Sequence, residues 1–140
     1  LNTIGMDLAE IEGINAVTDV TGFGLVGHLF EICEGSGLAA TLDWDKLPIL
    51  PHALEYAQNG YNTGAADRNW ASFADNVTVP DGMEQWRKNM LMDPQTSGGL
   101  LMSCPADQAD AVVALFHEQD YGFATVIGEL AAGSPHVRVR

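Results

Sequence analysis

The sequence predicts a layered domain of the α/β or α+β class. Short β-branched segments alternate with segments of helical periodicity along the whole chain, and this alternation is typical of helices packed on a sheet. The chain has 140 residues, of which 46% are hydrophobic, with 15 Gly and 6 Pro. A chain of this length and composition can bury a sizeable core, so disorder is a poor explanation. We expect a single domain over residues 1–140.

The first half of the chain predicts two helices and two strands. An apolar residue at every third or fourth position indicates an opening helix over residues 1–12. A β-branched run bounded by glycines favours a strand at residues 14–21. After a tight turn, an apolar stripe beginning at Gly24 indicates a helix that stops in the glycines of residues 35–37. Residues 38–42 then form a second predicted strand.

The second half alternates in the same way around one irregular stretch. The predicted helices cover residues 51–59, 81–92 and 105–121, and the predicted strands cover residues 100–102, 123–130 and 136–140. A proline at the start of the first and last of these helices fits, because a helix start leaves its first N–H unsatisfied in any case. Residues 61–80 carry scattered Asn, Gly and Asp and are interpreted as a loop-rich excursion.

The chain is strongly acidic. It has 6 Lys and Arg against 19 Asp and Glu, for a formal net charge of −13. Eight carboxylates precede Lys46, and no Lys or Arg does. Nucleic acids and anionic membranes are bound by clustered Lys and Arg, so the charge argues against both as partners. A small anionic ligand held by backbone amides or by a divalent cation remains compatible with it.

The sequence also bears on the compartment. No apolar run reaches the roughly 20 residues that span a bilayer, and no basic segment followed by an apolar one opens the chain. We therefore expect a cytoplasmic protein. Cys33 and Cys104 lie far apart without metal-ligand spacing, which predicts two reduced, buried thiols. Since Leu1 falls within the first predicted helix, we expect a piece of a longer protein.

The first motif with chemical content covers residues 18–29 and reads TDVTGFGLVGHL. A strand that ends at Asp19 and turns through small residues into a helix places a carboxylate beside free backbone N–H groups. Mg²⁺ prefers oxygen ligands and is commonly held by a carboxylate together with nucleotide phosphates. Gly22 and Gly24 permit a close approach of the backbone. The alternative is structural, with Asp19 or Thr21 capping the helix and the glycines serving the turn.

The second motif covers residues 93–101 and reads DPQTSGGLL. Four of its side chains can bond a phosphate, a water molecule or a metal ion: Asp93, Gln95, Thr96 and Ser97. Gly98 and Gly99 then bring the backbone close before a buried strand. A loop rich in hydroxyl groups and glycine is also typical of a well-satisfied turn, and these residues alone leave that alternative open.

Together the two motifs resemble one family. TDVTGFGLVGHL and MDPQTSGGLL at this separation are similar to the C-terminal domain of the selenophosphate synthetases (selenide, water dikinases). The similarity extends from the opening LNTIGM to IGEL near the end of the chain. It implies an α+β fold, a layered α/β/α domain with a mixed β-sheet like the C-terminal domain of aminoimidazole ribonucleotide synthetase. It also implies that a longer enzyme carries this domain at its C-terminal end.

The resemblance implies an activity and a set of site residues. The family converts ATP, selenide and water into selenophosphate, AMP and orthophosphate, with Mg²⁺ at the phosphates. The Asp of its TDVTGFG motif is a magnesium ligand, and that position is Asp19 here. The residues expected to face the nucleotide are Gly22, Gly24, Thr96, Ser97 and Gly98.

Other parts of the implied active site lie outside this chain. In the family the nucleophilic Cys or selenocysteine, its neighbouring Lys and most of the ATP site belong to the N-terminal domain. Neither Cys33 nor Cys104 matches the position of that nucleophile, so no catalytic residue is assigned here. The missing N-terminal domain is the expected partner, and a homodimer is expected for the full-length protein.

One segment departs from the family pattern. Members often carry Gly-Gly-Thr-x-x-Asn in the middle loop, whereas residues 64–69 read Gly-Ala-Ala-Asp-Arg-Asn, without the Thr hydroxyl. Gly64, Arg68 and Asn69 remain candidates there, and Arg68 could close over a triphosphate as a guanidinium clamp or be a plain surface charge. His28 borders the apolar face of its helix, which favours a structural histidine over a catalytic base.

Two other functions stay open at this level. One is another ATP-using enzyme of the same superfamily, of the hydrogenase-maturation or purine-synthesis type, although Phe23 replaces a basic residue of the hydrogenase-maturation branch. The other is a non-catalytic domain that packs against a partner or forms a dimer, with both glycine loops purely structural.

Overall fold

A computed structural model describes residues 2–8, 11 and 13–140. The helices in this part of the chain are α1 (Gly5–Leu8), α2 (Gly24–Ser36), α3 (Ala53–Gln58), α4 (Gly64–Phe73), α5 (Gln85–Leu91) and α6 (Ala109–Glu118). The strands are β1 (Ala16–Asp19), β2 (Leu38–Leu42), β3 (Val77–Thr78), β4 (Leu100–Ser103), β5 (Gly128–Ala132) and β6 (His136–Val139). No helix among the described residues has the length and apolar character needed to cross a membrane.

The strands form one mixed sheet and one separate pair. The mixed sheet has the strand order β3-β6-β2-β5, with β6 parallel to β2 and β3, and β5 antiparallel to β2. Strands β1 and β4 pair with each other in antiparallel fashion. This combination of helices with a mixed sheet confirms the predicted α+β class.

The main core lies between α2 and the mixed sheet. Val26, Phe30 and Cys33 recur along one face of α2 at a spacing of three or four residues, and all three are buried. Leu42 of β2 and Val137 of β6 are buried in the same cluster. Burial of this apolar surface is the main force that holds α2 against the sheet. The first motif is fixed in place as a result, because it leads directly into α2.

A smaller core lies beside the separate strand pair. Ile4 and Leu8 at the start of the chain pack with Val112 and Phe116 of α6, and all four side chains are buried. Leu100 and Met102 of β4 are partly buried against this cluster. The contact anchors residues 2–8 next to the strand pair, which positions Asn2 beside both motifs.

The prediction of a loop-rich excursion over residues 61–80 is wrong. That stretch contains the ten-residue helix α4 and the short strand β3. Thr63 caps the helix, since its side-chain oxygen accepts a hydrogen bond from the backbone N–H of Ala66. Ala66, Trp70 and Phe73 lie on one face and join the main core. The scattered polar residues concealed this apolar spacing of four and three.

Other predicted boundaries also shift. The predicted strand over residues 123–130 is wrong in position, because β5 covers Gly128–Ala132, and Phe123 is 67% exposed in the preceding turn. The helix predicted over residues 81–92 begins only at Gln85, after a turn in which Gly82 has a φ of 78°. The opening helix has ended by Ile11, and Leu1, Ala9, Glu10 and Glu12 lie outside the described residues.

Candidate functional site

The two motifs lie side by side in the fold. Strand β1, which carries the first motif, pairs with β4, and Asp19 stands opposite Leu100. The backbone N–H of Val20 donates to the carbonyl oxygen of Gly99 at 3.0 Å. Beyond it, the N–H of Gln95 donates to the carbonyl oxygen of Thr21, also at 3.0 Å. These hydrogen bonds join the two loops directly.

Asp19 presents an exposed carboxylate at the end of β1. Asn2 Nδ2 donates to Asp19 Oδ1 at 2.7 Å and lies 2.9 Å from the carbonyl oxygen of Gly98, which it also bonds. Asn2 is the only side chain among the described residues that bonds this carboxylate. The amide therefore bridges the two motifs while the other carboxylate oxygen stays available. Sequence reasoning missed Asn2, whose only signal was its place in the opening segment of the family resemblance.

The glycines of the two motifs have different roles. Gly24 has a φ of 70°, and a Cβ there would lie 2.5 Å from the carbonyl carbon of Met92. A Cβ on Gly98 would overlap the carbonyl oxygen of Val20. Gly22, in contrast, has open space where its Cβ would be. Packing thus requires Gly24 and Gly98, whereas Gly22 leaves an uncovered stretch of backbone.

The hydroxyl groups of the second motif face solvent. Thr96 and Ser97 are exposed in the loop between α5 and β4. Asp93 is different, since its Oδ1 accepts a hydrogen bond from Thr63 Oγ1 at 2.9 Å. Thr63 is the residue that caps α4. Asp93 therefore links the second motif to the start of that helix, and Thr96 and Ser97 remain open to a ligand.

The middle segment contributes an unexpected clamp. Asn69 Nδ2 donates to the carbonyl oxygen of Gly22 at 2.8 Å and to that of Met92 at 2.9 Å. The Asn69 side chain thereby connects the glycine turn of the first motif to Met92, the residue that precedes the second motif. Gly64 begins the same helix, and Arg68 is exposed on it. The segment orders the two loops through Asn69 even though the family's Thr hydroxyl is absent.

The first motif contains a buried histidine. His28 is 8% exposed, and its two ring nitrogens have partners on both sides. Nε2 lies 3.2 Å from Thr21 Oγ1, and Nδ1 lies 2.8 Å from Glu31 Oε2. The ring also packs against Phe23, with 5.4 Å between the ring centroids. These contacts agree with a histidine whose ring nitrogens are satisfied.

The two cysteines lie in environments that disfavour thiolates. Cys33 is fully buried in the main core, and burial raises the pKa of its thiol although nearby backbone hydrogen bonds act in the opposite direction. Partial burial, followed by the charge of Asp107, raises the pKa of the Cys104 thiol. A nucleophilic cysteine needs its thiolate form, so both environments favour unreactive thiols.

The residues present fit part of a magnesium site. Among the described residues no group of three or more His, Cys, Asp and Glu side chains could hold a metal ion. Mg²⁺ does not require such a group, since one or two carboxylates, water and substrate phosphates usually complete its six ligands. Asp19, with a free oxygen at the surface, is suited to supply one of them.

The fold and these motifs place the chain in a known family. It belongs to the family described as AIR synthase related protein, C-terminal domain, whose family model matches residues 5–140. The chain is also similar to the selenide, water dikinase of Dechloromonas aromatica (strain RCB), at 51% identity over 139 residues. That match covers 99% of this chain and 40% of the relative.

Other relatives with the same name are similar to this chain over the same extent. The selenide, water dikinases of Pseudomonas straminea and Paraburkholderia xenovorans (strain LB400) are 45% and 42% identical, each over 99% of this chain and 39% of the relative. The chain thus spans about 40% of the length of these curated relatives. Thiamine-monophosphate kinase from Stenotrophomonas maltophilia K279a has a similar fold, with a TM-score of 0.51 and 23% identity over 91% of this chain and 31% of that one.

Proposed function

We propose that this chain is the C-terminal domain of an ATP-dependent enzyme that forms selenophosphate, AMP and orthophosphate from ATP, selenide and water. The observation that carries the proposal is the 51% identity, over 99% of the chain, to a protein named selenide, water dikinase. Within that similarity, both motifs meet at one surface around Asp19. This argument favours the dikinase over a purine-synthesis or hydrogenase-maturation enzyme and over a non-catalytic domain.

The domain's proposed contribution is one wall of the phosphate site. Phosphoryl transfer depends mainly on positioning and on neutralising the charge of the phosphates. Asp19 would hold Mg²⁺, which supplies that neutralising charge when bound. Such a cation is needed because the chain has a net charge of −13 and only 6 Lys and Arg. The uncovered backbone at Gly22 and the hydroxyl groups of Thr96 and Ser97 would contact the phosphates, while Gly24 and Gly98 keep the two loops close.

The remaining parts of the enzyme are proposed to lie in a preceding domain. The relatives are more than twice as long as this chain, which supports a second domain N-terminal to it. That domain would supply the Cys or selenocysteine nucleophile, the Lys and most of the contacts to ATP. It would also form the main contact of a homodimer.

Replacement of Asp19 tests the proposal. In the complete enzyme, Asp19→Ala should reduce ATP-dependent selenophosphate formation about 100-fold at ordinary Mg²⁺, because it removes a charged ligand of the cation. Phosphorus NMR of selenophosphate and AMP measures this. Asp110→Ala is the matched control, since Asp110 is an exposed carboxylate in the first turn of α6. Wild-type rates in the Asp19 variant would contradict the assignment.

A further inference from the structure

Glu31, His28 and Thr21 form a chain of hydrogen bonds that ends at the candidate site. Glu31 Oε2 lies 2.8 Å from His28 Nδ1, and His28 Nε2 lies 3.2 Å from Thr21 Oγ1. Two of the three residues belong to the first motif, but the proposed function assigns neither of them a role. The arrangement joins a carboxylate, an imidazole ring and a hydroxyl group in series.

The geometry of the three groups suits one arrangement of the protons. A carboxylate oxygen accepts hydrogen bonds, so a proton on Nδ1 of His28 satisfies Glu31 Oε2. In that tautomer Nε2 has no proton and accepts the hydroxyl proton of Thr21. The hydroxyl oxygen has no second proton to donate. Its free lone pairs can only accept, so they can bind a cation or a cation-bound water but not a bare phosphate oxygen.

The surroundings of His28 hold the ring in this orientation. Phe23 packs against the imidazole and also against Phe73 of α4, with ring centroids 5.7 Å apart in the second pair. Phe23 can cross the surface of α2 because residue 27 is a glycine, where a Cβ would lie 2.6 Å from Phe23 Cβ. The buried ring therefore has little freedom to turn away from Thr21.

Thr21 lies on the same side of its segment as Asp19. Side chains alternate between the two faces of an extended chain. Val20, between these two residues, is buried, whereas Asp19 and Thr21 are both exposed. The backbone at Thr21 is fixed as well, because its carbonyl oxygen accepts from Gln95 and from Gly24. Asp19 and Thr21 are thus two exposed oxygen-bearing residues on either side of the buried Val20.

We propose that His28, held by Glu31, is a positioning residue that directs the hydroxyl proton of Thr21 inward and its lone pairs outward. Thr21 then acts with Asp19 as a second oxygen for a hydrated divalent cation bound to nucleotide phosphates. This inference rests on the proposed function, which supplies the cation and the phosphates. It adds Thr21 as a ligand and His28 as a positioning residue. It also specifies that the Thr21 hydroxyl oxygen binds a cation or a cation-bound water.

The first test measures the Mg²⁺ dependence of the complete enzyme. Thr21→Val should raise the Mg²⁺ concentration for half-maximal activity about tenfold, the usual effect of one lost polar contact, and Thr21→Ser should restore it. His28→Phe should have a similar effect, and the double variant should be no worse than either single one. Thr78→Val is the matched control, because Thr78 Oγ1 lies 2.7 Å from Nε2 of another histidine, His136, on the mixed sheet. A Thr21→Val enzyme with wild-type Mg²⁺ dependence would overturn the inference.

The second test does not need turnover. In complete enzyme labelled with ¹⁵N-histidine, the His28 ring should show a proton on Nδ1 and none on Nε2, with the signals assigned from the His28→Phe variant. Mg²⁺ with a non-hydrolysable ATP analogue should shift the Nε2 resonance in wild type and not in Thr21→Val. A proton on Nε2, or the same shift in both proteins, would refute the positioning role. If wild type forms no selenophosphate, the proposed function fails, and this titration alone decides the role of His28.

Discussion

At the scale of single residues, the adjacent glycines Gly98 and Gly99 of the second motif differ in whether the surrounding structure leaves room for a side chain. Both were expected to bring the backbone close before a strand. In the fold, a Cβ on Gly98 would overlap the carbonyl oxygen of Val20, whereas a Cβ on Gly99 would meet nothing within 4 Å. Of these two glycines, therefore, Gly98 is required for the close contact between the two motifs and Gly99 is not.

This difference predicts opposite outcomes for two neighbouring substitutions. Gly98→Ala should lower the free energy of unfolding by about 2 kcal/mol or more, because the backbone of one loop must move to admit the methyl group. Gly99→Ala, the matched control, should change it by less than about 0.5 kcal/mol. Urea unfolding followed by circular dichroism measures both. Equal stabilities of the two variants would show that the loops separate without cost.

The candidate site was partly predictable from single residues. Asp19 and the glycines could be singled out because a carboxylate, a turn and a helix start follow one another in sequence, and their role at the phosphates is a proposal. Asn2 was not singled out, and Asn69 was a candidate only through the family pattern of the middle loop. Their importance lies in donating to carbonyl oxygens of distant segments, and no local pattern encodes such a partner.

At the scale of elements, α4 is the largest difference from expectation. Its polar composition resembles a loop, and only the apolar face of Ala66, Trp70 and Phe73 marks it as a helix. The capping hydroxyl of Thr63 was a further local signal. Packing of that face on the main core stabilises the helix, since its intrinsic helix propensity is modest. The helix in turn delivers Asn69 to the two motifs.

The clamp made by Asn69 leads to a prediction about α4. Asn69→Ala should reduce the free energy of unfolding by about 1–3 kcal/mol, because two backbone carbonyl groups lose their donor. Amide hydrogen exchange should also become faster in residues 21–24 and 93–99, which the clamp joins. Ser72→Ala is the control on the same helix, since Ser72 Oγ donates only to the carbonyl oxygen of Arg68 in its own helix. Exchange rates equal in both variants would argue against the clamp.

Strand boundaries in the second half show a related effect. Residues 123–127 have apolar and β-branched side chains, yet β5 begins only at Gly128. Pairing with β2 decides this boundary, because Gly128 stands opposite Leu42 at the end of that strand. A Cβ at Gly128 would overlap the carbonyl oxygen of Thr41, so the close approach of the two strands also needs this glycine.

At the scale of the whole molecule, the described surface offers an incomplete site for a nucleotide. Among the described residues, Asp19 does not belong to any group of three or more His, Cys, Asp and Glu side chains that could hold a metal ion. The chain also has a net charge of −13. Phosphates approach such a surface favourably only together with a cation. We therefore expect the other carboxylate ligands to come from residues outside this chain.

The isolated chain should accordingly bind Mg-ATP weakly and form no selenophosphate. Titration calorimetry of the 140-residue chain with Mg-ATP should give no micromolar binding, whereas the complete enzyme should bind under the same conditions. The circular dichroism spectrum of the isolated chain controls for its folding. Micromolar affinity in the folded chain would contradict the view that this domain supplies only one wall of the site.

The sequence by itself determined the α+β class, most helix and strand positions and the two motifs that resemble one family. Apolar periodicity, glycine and proline act over a few residues, so their consequences can be derived locally. Tertiary structure alone decided the pairing of β1 with β4, the clamp of Asn69 and the chain from Glu31 to Thr21. Each of these depends on which donor reaches which acceptor after distant segments have packed, and burial of the apolar core, rather than local sequence, sets that distance.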